Sequence, residues 1–517
     1  MHRFGRVLQK MRPVSLGLGI FAINTLNQTQ TQTSCNKDWR NGSNRSRNGN
    51  VDKLIDDLKG VLKADQIDVT KEECELRGKP WNSYHNSVNH PDAILQPETT
   101  EDVSSIMRLC SLHNIPVIPY GGGTSLEGQL LTPEGGISLD FCRMKKVIAV
   151  REGDLDVTVQ AGLGYIELNE YLRPTGLWFP LDPGPGATIG GMVATRCSGS
   201  TAVRYGSMRE NVLNVTAVMS DGTIVRTGGR ARKSSAGYDL TRLFVGSEGT
   251  LAVVTEATLK VHPIPTVSHA VRIAFPTVEL AAKCASETLR KGLTVGRCEL
   301  MDEVMVRDIN LANPQLPSMG GAWAEEVTLL YELTGPSESS VAEQTATLKE
   351  LATKNNATAV KICTEPEQTA LIWKTRKECL WSTMSQHPGL EPMITDVCVP
   401  LSHLPELIRE ARRELDASPL HCPIIAHAGD GNIHVLIMFD TAVTAQKVEA
   451  QRLADLMARH AIRLGGTCTG EHGVGVGKRH LLKEELGAGS IAIMRSIKDS
   501  LDPANLLNPG KVLPPKE

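Results

Sequence analysis

Pro119-Tyr-Gly-Gly-Gly-Thr-Ser-Leu-Glu-Gly128 follows a short apolar run, Ile115-Pro-Val-Ile118, that reads as a buried strand. Its three consecutive glycines let the backbone turn sharply and present N–H groups with no Cβ in the way. Thr124 and Ser125 add hydroxyl donors. Such a loop can wrap a pyrophosphate, whose oxygens need convergent donors at short range. It is not GxxxxGK(S/T), because no Lys follows to reach a β- or γ-phosphate, and it is not the GxGxxG turn that opens a helix. An ATPase and a Rossmann nucleotide domain are therefore disfavoured.

Around this loop, strand-like segments alternate with glycine turns at 136–140, 146–150, 156–160 and 212–219, and Asp221-Gly222 is a hairpin signal. Helices are expected over Glu101–His113 and Tyr165–Thr175. The pattern is α+β and not a regular βαβ repeat. Residues 182–206 are dense in small residues, with Ala187–Thr195 expected as a helix that a flat ring can approach closely and a Ser/Gly loop following. Gly246-Ser-Glu-Gly-Thr-Leu251 repeats the theme before a Val/Thr strand over 251–261. Three small-residue, hydroxyl-bearing loops in one domain suit a long dinucleotide such as FAD.

The 517 residues suffice for two or three domains. Lys+Arg 55 against Asp+Glu 58, with only 4% aromatics, gives nucleic-acid binding little support. Twelve Cys without a CxxC pair fit a reducing compartment and individual buried thiols. The first acid is Asp38; before it stand Arg3, Arg6, Lys10, Arg12 and Lys37. The apolar run Val14–Ile23 is too short for a membrane span. A mitochondrial transit peptide fits this segment better than a secretory signal. The Gln/Asn/Thr/Ser-rich stretch that follows reads as a linker, so residues 1–50 are expected to be targeting segment and linker, and 51–87 an N-terminal helical segment.

After His262-Pro-Ile-Pro265 the texture changes to long helices and separate strands. Helices are expected over 281–291, 339–352, 365–384, 404–417 and 444–464, with a strand at 327–333. Ile424-Ile-Ala-His427 runs into a Gly429-Asp-Gly-Asn432 turn, and Ile433-His434-Val-Leu436 leaves as the partner strand. That hairpin can bring His427 and His434 to one side. With Glu471 they are a complete ligand set for a divalent cation with positions left open; two structural histidines are the competing reading. Arg376, in Trp373-Lys-Thr-Arg376-Lys377, offers the two-pronged fork that suits a carboxylate. Asn432, from the turn itself, is a second donor for the same group.

These stretches, with Ser234–Leu251, His427–His434 and Cys468-Thr-Gly-Glu-His-Gly-Val-Gly-Val-Gly-Lys478, closely resemble the vanillyl-alcohol-oxidase-type flavoproteins, and within them the D-2-hydroxyacid dehydrogenase group, over residues 88–511. The resemblance implies an α+β architecture: an FAD-binding domain (88–265) of two subdomains, and a capping FAD-linked oxidase C-terminal domain (266–485). A closing segment (486–517) would return to the flavin domain. It implies that Pro119, Gly121, Gly122, Gly123, Thr124, Ser125 and Gly128 hold the pyrophosphate side. Pro183, Gly184, Thr188, Gly191, Ser198, Gly199, Glu248, Gly249 and Val254 would line the rest, with Asn508 near the ring. The loop 119–128 has no His to tether the flavin, so non-covalent FAD is expected. Arg196 departs from the family pattern, which most often has a small residue or Asn there.

The resemblance places His427, His434 and Glu471 on the family's metal positions, with zinc or manganese as the ion, His472 on its catalytic base and Arg376 on its carboxylate-binding Arg. A neutral imidazole near its ordinary value of about 6.5 suits a base at neutral pH. Relatives acting on D-2-hydroxyglutarate carry a Lys ahead of the Asp-Val-x-x-Pro segment; here Ile394 or its neighbour stands there, and a second carboxylate would be buried unpaired. The expected substrate is a D-2-hydroxy monocarboxylate, D-lactate first. D-2-hydroxyglutarate and glycolate are the rivals within enzymes, and a non-catalytic flavin-binding subunit the rival outside them. Electrons would pass to cytochrome c, a quinone or an electron-transfer flavoprotein, in the mitochondrial matrix or at the inner membrane. No nucleic acid and no transmembrane span are expected.

Overall fold

The computed structural model describes residues 49–79, 83–87, 89–313 and 322–515. The targeting segment expected over residues 1–50 lies outside them but for its last two residues.

The loop 119–128 leaves a small sheet. Strands β1 (Ile67–Asp68), β2 (Ala93–Leu95), β3 (Val117–Tyr120) and β4 (Ile137–Asp140) stand in the order β1-β2-β4-β3, with β2 and β3 parallel to β4. Helix α1 (Gly49–Leu58) precedes them, and α2 (Thr100–His113) crosses from β2 to β3, as parallel strands require. Thr99 starts α2 by accepting from Asp102 N–H at 3.0 Å while Asp102 reaches back to Thr99 N–H, and Asn114 ends it at φ 54. Val51, Leu54 and Leu58 of α1 fill the same core as β2 and β4, so residues 51–87 do not form a segment with a core of their own.

The second subdomain is an antiparallel sheet of β5 (Val147–Arg151), β6 (Asp156–Gln160), β7 (Val212–Val218), β8 (Ile224–Arg226) and β9 (Val253–Lys260), ordered β5-β6-β9-β7-β8. The Asp221-Gly222 turn joins β7 to β8, with Gly222 at φ 84. Helices α3 (Tyr165–Leu172) and α4 (Ile189–Thr195) pack on this sheet. Arg196 caps α4 in the left-handed region at φ 57, which explains why Asn or a small residue suits that position.

The cap is one antiparallel sheet whose side chains alternate between two cores, with a bulge between Val295 and Arg297. It is built from β10 (Val267–Phe275), β11 (Val295–Met301), β12 (Val327–Gly335), β13 (Ala359–Cys363), β14 (Glu391–Ile394), β15 (Val397–Cys398), β16 (Ile424–His427) and β17 (Asn432–Phe439). The order is β13-β10-β12-β11-β16-β17-β14, with β15 on the other part of β17's edge. One face carries α5 (Val278–Arg290), α7 (Glu338–Lys354), α10 (Leu404–Asp416) and α11 (Thr444–Arg463). The other carries α6 (Glu303–Ala312), α8 (Pro366–Lys377) and α9 (Cys379–Gln386). The stretch expected as one helix over 365–384 breaks at Glu378, and the turn there lets Cys379 and Thr383 pack on Met301 and Met305.

After α12 (Leu482–Leu501) the chain comes back to the flavin domain. It lies parallel to β3, with Val117 N–H donating to Leu506 O at 2.8 Å and Asn508 N–H to Val117 O at 2.9 Å. No helix among the described residues is long and apolar enough to cross a membrane.

Candidate active site

Side chains on a strand alternate between faces, and this puts the chemistry on one side of the cap sheet. On β11, Cys298 and Leu300 enter the larger core, which leaves Glu299 on the face of Met301. On β16 and β17, Ala426, Ile433 and Val435 enter that same core, so His427 and His434 share the opposite face with Ile425 and Leu436. The register sets Glu299 opposite His427 and Ile425 opposite His434. Gly431 closes the hairpin at φ 80, against Val399 O.

Glu471 reaches this face from the loop after α11. Its Oε1 lies 3.2 Å from His427 Nε2 and 3.3 Å from His434 Nε2. The three ligand atoms of His427, His434 and Glu471 fall within 4.8 Å of one another. Two ligands about 2.1 Å from a tetrahedral ion stand about 3.4 Å apart, so the set fits one divalent cation. Each remaining ring nitrogen is fixed: Glu299 holds His427 Nδ1 at 2.8 Å, and Thr395 O holds His434 Nδ1 at 3.0 Å. That is how ligating imidazoles are oriented. Burial would push the Glu471 carboxyl up, but hydrogen bonds and charge from His427 and His434 hold it well below the usual range.

His472, beside Glu471, stacks on His434 with ring centroids 5.0 Å apart. Its Nδ1 is buried with no hydrogen-bond partner, 4.0 Å from Asp396 Oδ2. Burial lowers its pKa from the ordinary imidazole value, so the ring is neutral at neutral pH. Asp396 organises the loop: its Oδ2 accepts from Glu471 N–H and His472 N–H, both at 2.9 Å, and from Thr469 Oγ1 at 2.8 Å. Burial works against its charge, yet His472, Lys478 and His434 keep the carboxyl below its usual range.

Arg376 lies on the face of α8 that Ile372 and Trp373 bury, and it meets Glu299 Oε2 at 2.5 Å. Glu299 thus joins His427 to Arg376. Among the described residues Arg376 Nε is buried without a hydrogen-bond partner, so it could donate to a carboxylate.

Asn432 has a different task from the one its place in the turn suggested. Its amide donates to Asp396 Oδ1 at 2.9 Å and to Val397 O at 3.0 Å, so both hydrogens are spent inside the protein. The Glu248 carboxylate accepts from Val474 N–H at 2.7 Å and Gly475 N–H at 2.8 Å. Asn508 donates to Glu248 O at 2.8 Å and receives Lys511 Nζ at 2.9 Å.

On the flavin side, Gly121, Gly122 and Gly123 face the 186–191 segment and Tyr120. A Cβ on Gly121 would stand 2.3 Å from Thr188 Oγ1, and one on Gly122 1.9 Å from Gly186 O. Thr188 Oγ1 is buried with no partner, and Gly191 lies against it. This unpaired hydroxyl in a glycine-lined seam fits an oxygen-rich cofactor. Pro119 packs under Gly249, Gly128 under Val476, and Thr124 against Gly186, with Ser125 in the same loop. Pro183 O accepts from Tyr165, Gly184 is open, Gly199 packs on Asp182, and Val254 joins the core of the second subdomain. Ser198 crosses to the cap and donates to Glu471 Oε2 at 2.6 Å.

Glu299 and the organising role of Asp396 escaped the sequence reading. The available signal was a lone acid in an otherwise apolar strand, as in Cys298-Glu299-Leu300-Met301.

Residues 91–228 match the FAD binding domain family, and residues 264–512 match the C-terminal domain of FAD linked oxidases. The mitochondrial D-lactate dehydrogenase [cytochrome] of Arabidopsis thaliana is 50% identical over 462 residues, 89% of this chain and 80% of that protein. The chain belongs to the FAD-linked D-lactate dehydrogenase family. D-lactate dehydrogenase [cytochrome] 1 of Saccharomyces cerevisiae is 41% identical over 89% of this chain and 80% of its own. Glycolate oxidase subunit GlcD of Bacillus subtilis is 32% identical over 82% of this chain and 89% of its own. The fold is also that of p-cresol methylhydroxylase, which superposes with a TM-score of 0.74 at 17% identity, over 90% of this chain and 97% of that one.

Proposed function

We propose that this chain oxidises D-lactate to pyruvate with non-covalently bound FAD, that a divalent cation, zinc or manganese, sits on His427, His434 and Glu471, and that cytochrome c takes the electrons. The observation that carries the reading is the meeting of that ligand set, the neutral His472 and the Arg376 fork in one buried place against the flavin domain. The relatives named D-lactate dehydrogenase [cytochrome], mitochondrial, support the substrate, the acceptor and a mitochondrial location.

Arg376 takes the substrate carboxylate through its unpaired Nε while Glu299 holds the other edge of the guanidinium. Gly121 to Ser125 would hold the pyrophosphate side of FAD, and Thr188 would line the rest of it. The cation would supply charge that lowers the pKa of the 2-hydroxyl, and bound FAD would supply the hydride acceptor. His472, neutral because it is buried, takes the hydroxyl proton, and Asp396 steadies the loop that carries it. Ile394, partly buried against the apolar core beside α6 and α8, offers nothing to a second carboxylate, which favours D-lactate over D-2-hydroxyglutarate.

The test is anaerobic mixing of the metal-loaded holoenzyme with D-lactate, L-lactate, glycolate and D-2-hydroxyglutarate while following the oxidised-flavin band. Bleaching by D-lactate, lost in His472→Ala by about 100-fold or more as for removal of a general base, is the expected result. Bleaching chiefly by D-2-hydroxyglutarate or glycolate would overturn the substrate. No bleaching by any of them would return the chain to a non-catalytic role.

A further inference from the structure

A second cluster of the same chemistry lies elsewhere in the cap. Asp308 on α6, His387 just beyond α9, and His421 ahead of β16 place three ligand atoms within 4.8 Å of one another. His421 Nε2 stands 2.9 Å from Asp308 Oδ2, and Thr383 Oγ1 donates to that oxygen at 2.7 Å. The His387 and His421 rings lie side by side, centroids 4.1 Å apart. Among the described residues the His387 ring has no hydrogen-bond partner.

The electrostatics of Asp308 set it apart. Its side chain is only 3% exposed. Other buried carboxylates among the described residues pair with Lys or Arg, as Asp140 does with Arg77, Asp302 with Arg412 and Glu299 with Arg376. Glu248 is instead held by two backbone N–H groups. Asp308 has neither: only an imidazole and a hydroxyl face it. Leaving a buried carboxylate without a fixed positive charge is costly.

Glu471 presents the same pattern, with two imidazoles, one hydroxyl from Ser198, and no Lys or Arg. In both clusters the three ligand atoms lie within 4.8 Å of one another. His387 and His421 are half-buried, so an ion has a path from solvent while Thr383 orients the carboxylate behind it.

We propose that Asp308, His387 and His421 form a second divalent-cation site, of the zinc class, separate from the catalytic cluster. Its ion ties α6 to the end of α9 and to the strand that carries His427. Two imidazoles and one carboxylate leave a fourth position for water on the exposed side.

Chelator-treated, flavin-loaded full-length protein titrated with zinc(II) gives the answer as ions bound per chain. Wild type is expected to bind two, and His387→Ala and His434→Ala one each. The double variant should bind none. His387→Ala should still be bleached by D-lactate, and Asp308→Asn, which keeps the volume, should reproduce its loss of one ion. A His387→Ala variant that binds as many ions as wild type overturns the site. Loss of one ion in His387→Ala with none lost in His434→Ala would keep this site and reject the catalytic one.

Discussion

Glu299 shows how one residue can serve two partners. It is fully buried, and each oxygen is used: Oε1 on His427 Nδ1 at 2.8 Å, Oε2 on the Arg376 guanidinium at 2.5 Å. The carboxylate therefore fixes which nitrogen of His427 faces Glu471 and which edge of Arg376 is left for substrate. A neutral amide of the same shape has one acceptor oxygen and cannot hold both donors. Glu299→Gln is expected to weaken metal binding by about 10- to 100-fold, the usual effect of losing a carboxylate behind a metal-bound imidazole. It should also raise KM for D-lactate, because Arg376 loses its orientation. Metal titration and steady-state kinetics separate the two effects. A variant that only melts earlier, with unchanged metal affinity and KM, would reduce Glu299 to packing.

The hairpin of β16 and β17 is the element on which the site hangs, and its turn has no slack. Gly431 is in the left-handed region at φ 80, and a Cβ there would stand 2.1 Å from Val399 O. Gly431→Ala meets both the conformational cost, about 1–2 kcal/mol for an L-residue in that region, and a clash with backbone that cannot move cheaply. The expected result is a lower melting temperature together with weaker metal binding, since His427 and Asn432 flank the turn; an unchanged metal affinity would show that the turn does not set the imidazoles. This hairpin was legible because both its signals are local: apolar alternation and a Gly-Asp-Gly turn. So were the phosphate-type loop, the strands of the flavin domain, and helices with clear ends such as α2. Glu378, where one expected helix becomes α8 and α9, carries no Pro or Gly to announce the break; packing of Cys379 and Thr383 on α6 and β11 decides it. The roles of Asn432 and Glu248 were equally hidden, because each is set by a partner far away in the chain, Asp396 in one case and Val474 and Gly475 in the other.

At the scale of the molecule, the loop carrying Glu471 and His472 belongs to the cap in sequence but is held from the flavin domain. Ser198 donates to Glu471, Gln129 donates to His472 O at 2.8 Å, and Val476 N–H donates to Glu127 O at 2.8 Å. Glu248 completes the clasp with both carboxylate oxygens on Val474 and Gly475. Residues 127–129, Ser198 and Glu248 of the FAD-binding domain and the loop carrying Glu471 and His472 thus form one continuous hydrogen-bonded body. Burial outweighs the two backbone donors and pushes the Glu248 carboxyl up from 4.5 to about 7. Between those values the native state keeps a proton that the unfolded chain releases. The stability from this group is therefore complete below about 4.5 and declines as pH rises to about 7. At 1.36 kcal/mol per unit the full swing is about 3 kcal/mol. Glu248→Gln does not titrate, so raising the pH from 5 to 8 should cost wild type more thermal stability than the variant. Equal losses in both proteins would sink the assignment. Glu248→Ala, with no acceptor at all, should speed hydrogen exchange at the Val474 and Gly475 amides while leaving the hairpin of β16 and β17 protected. Protection lost across the hairpin as well would mean that the flavin domain holds the whole cap and not the loop alone.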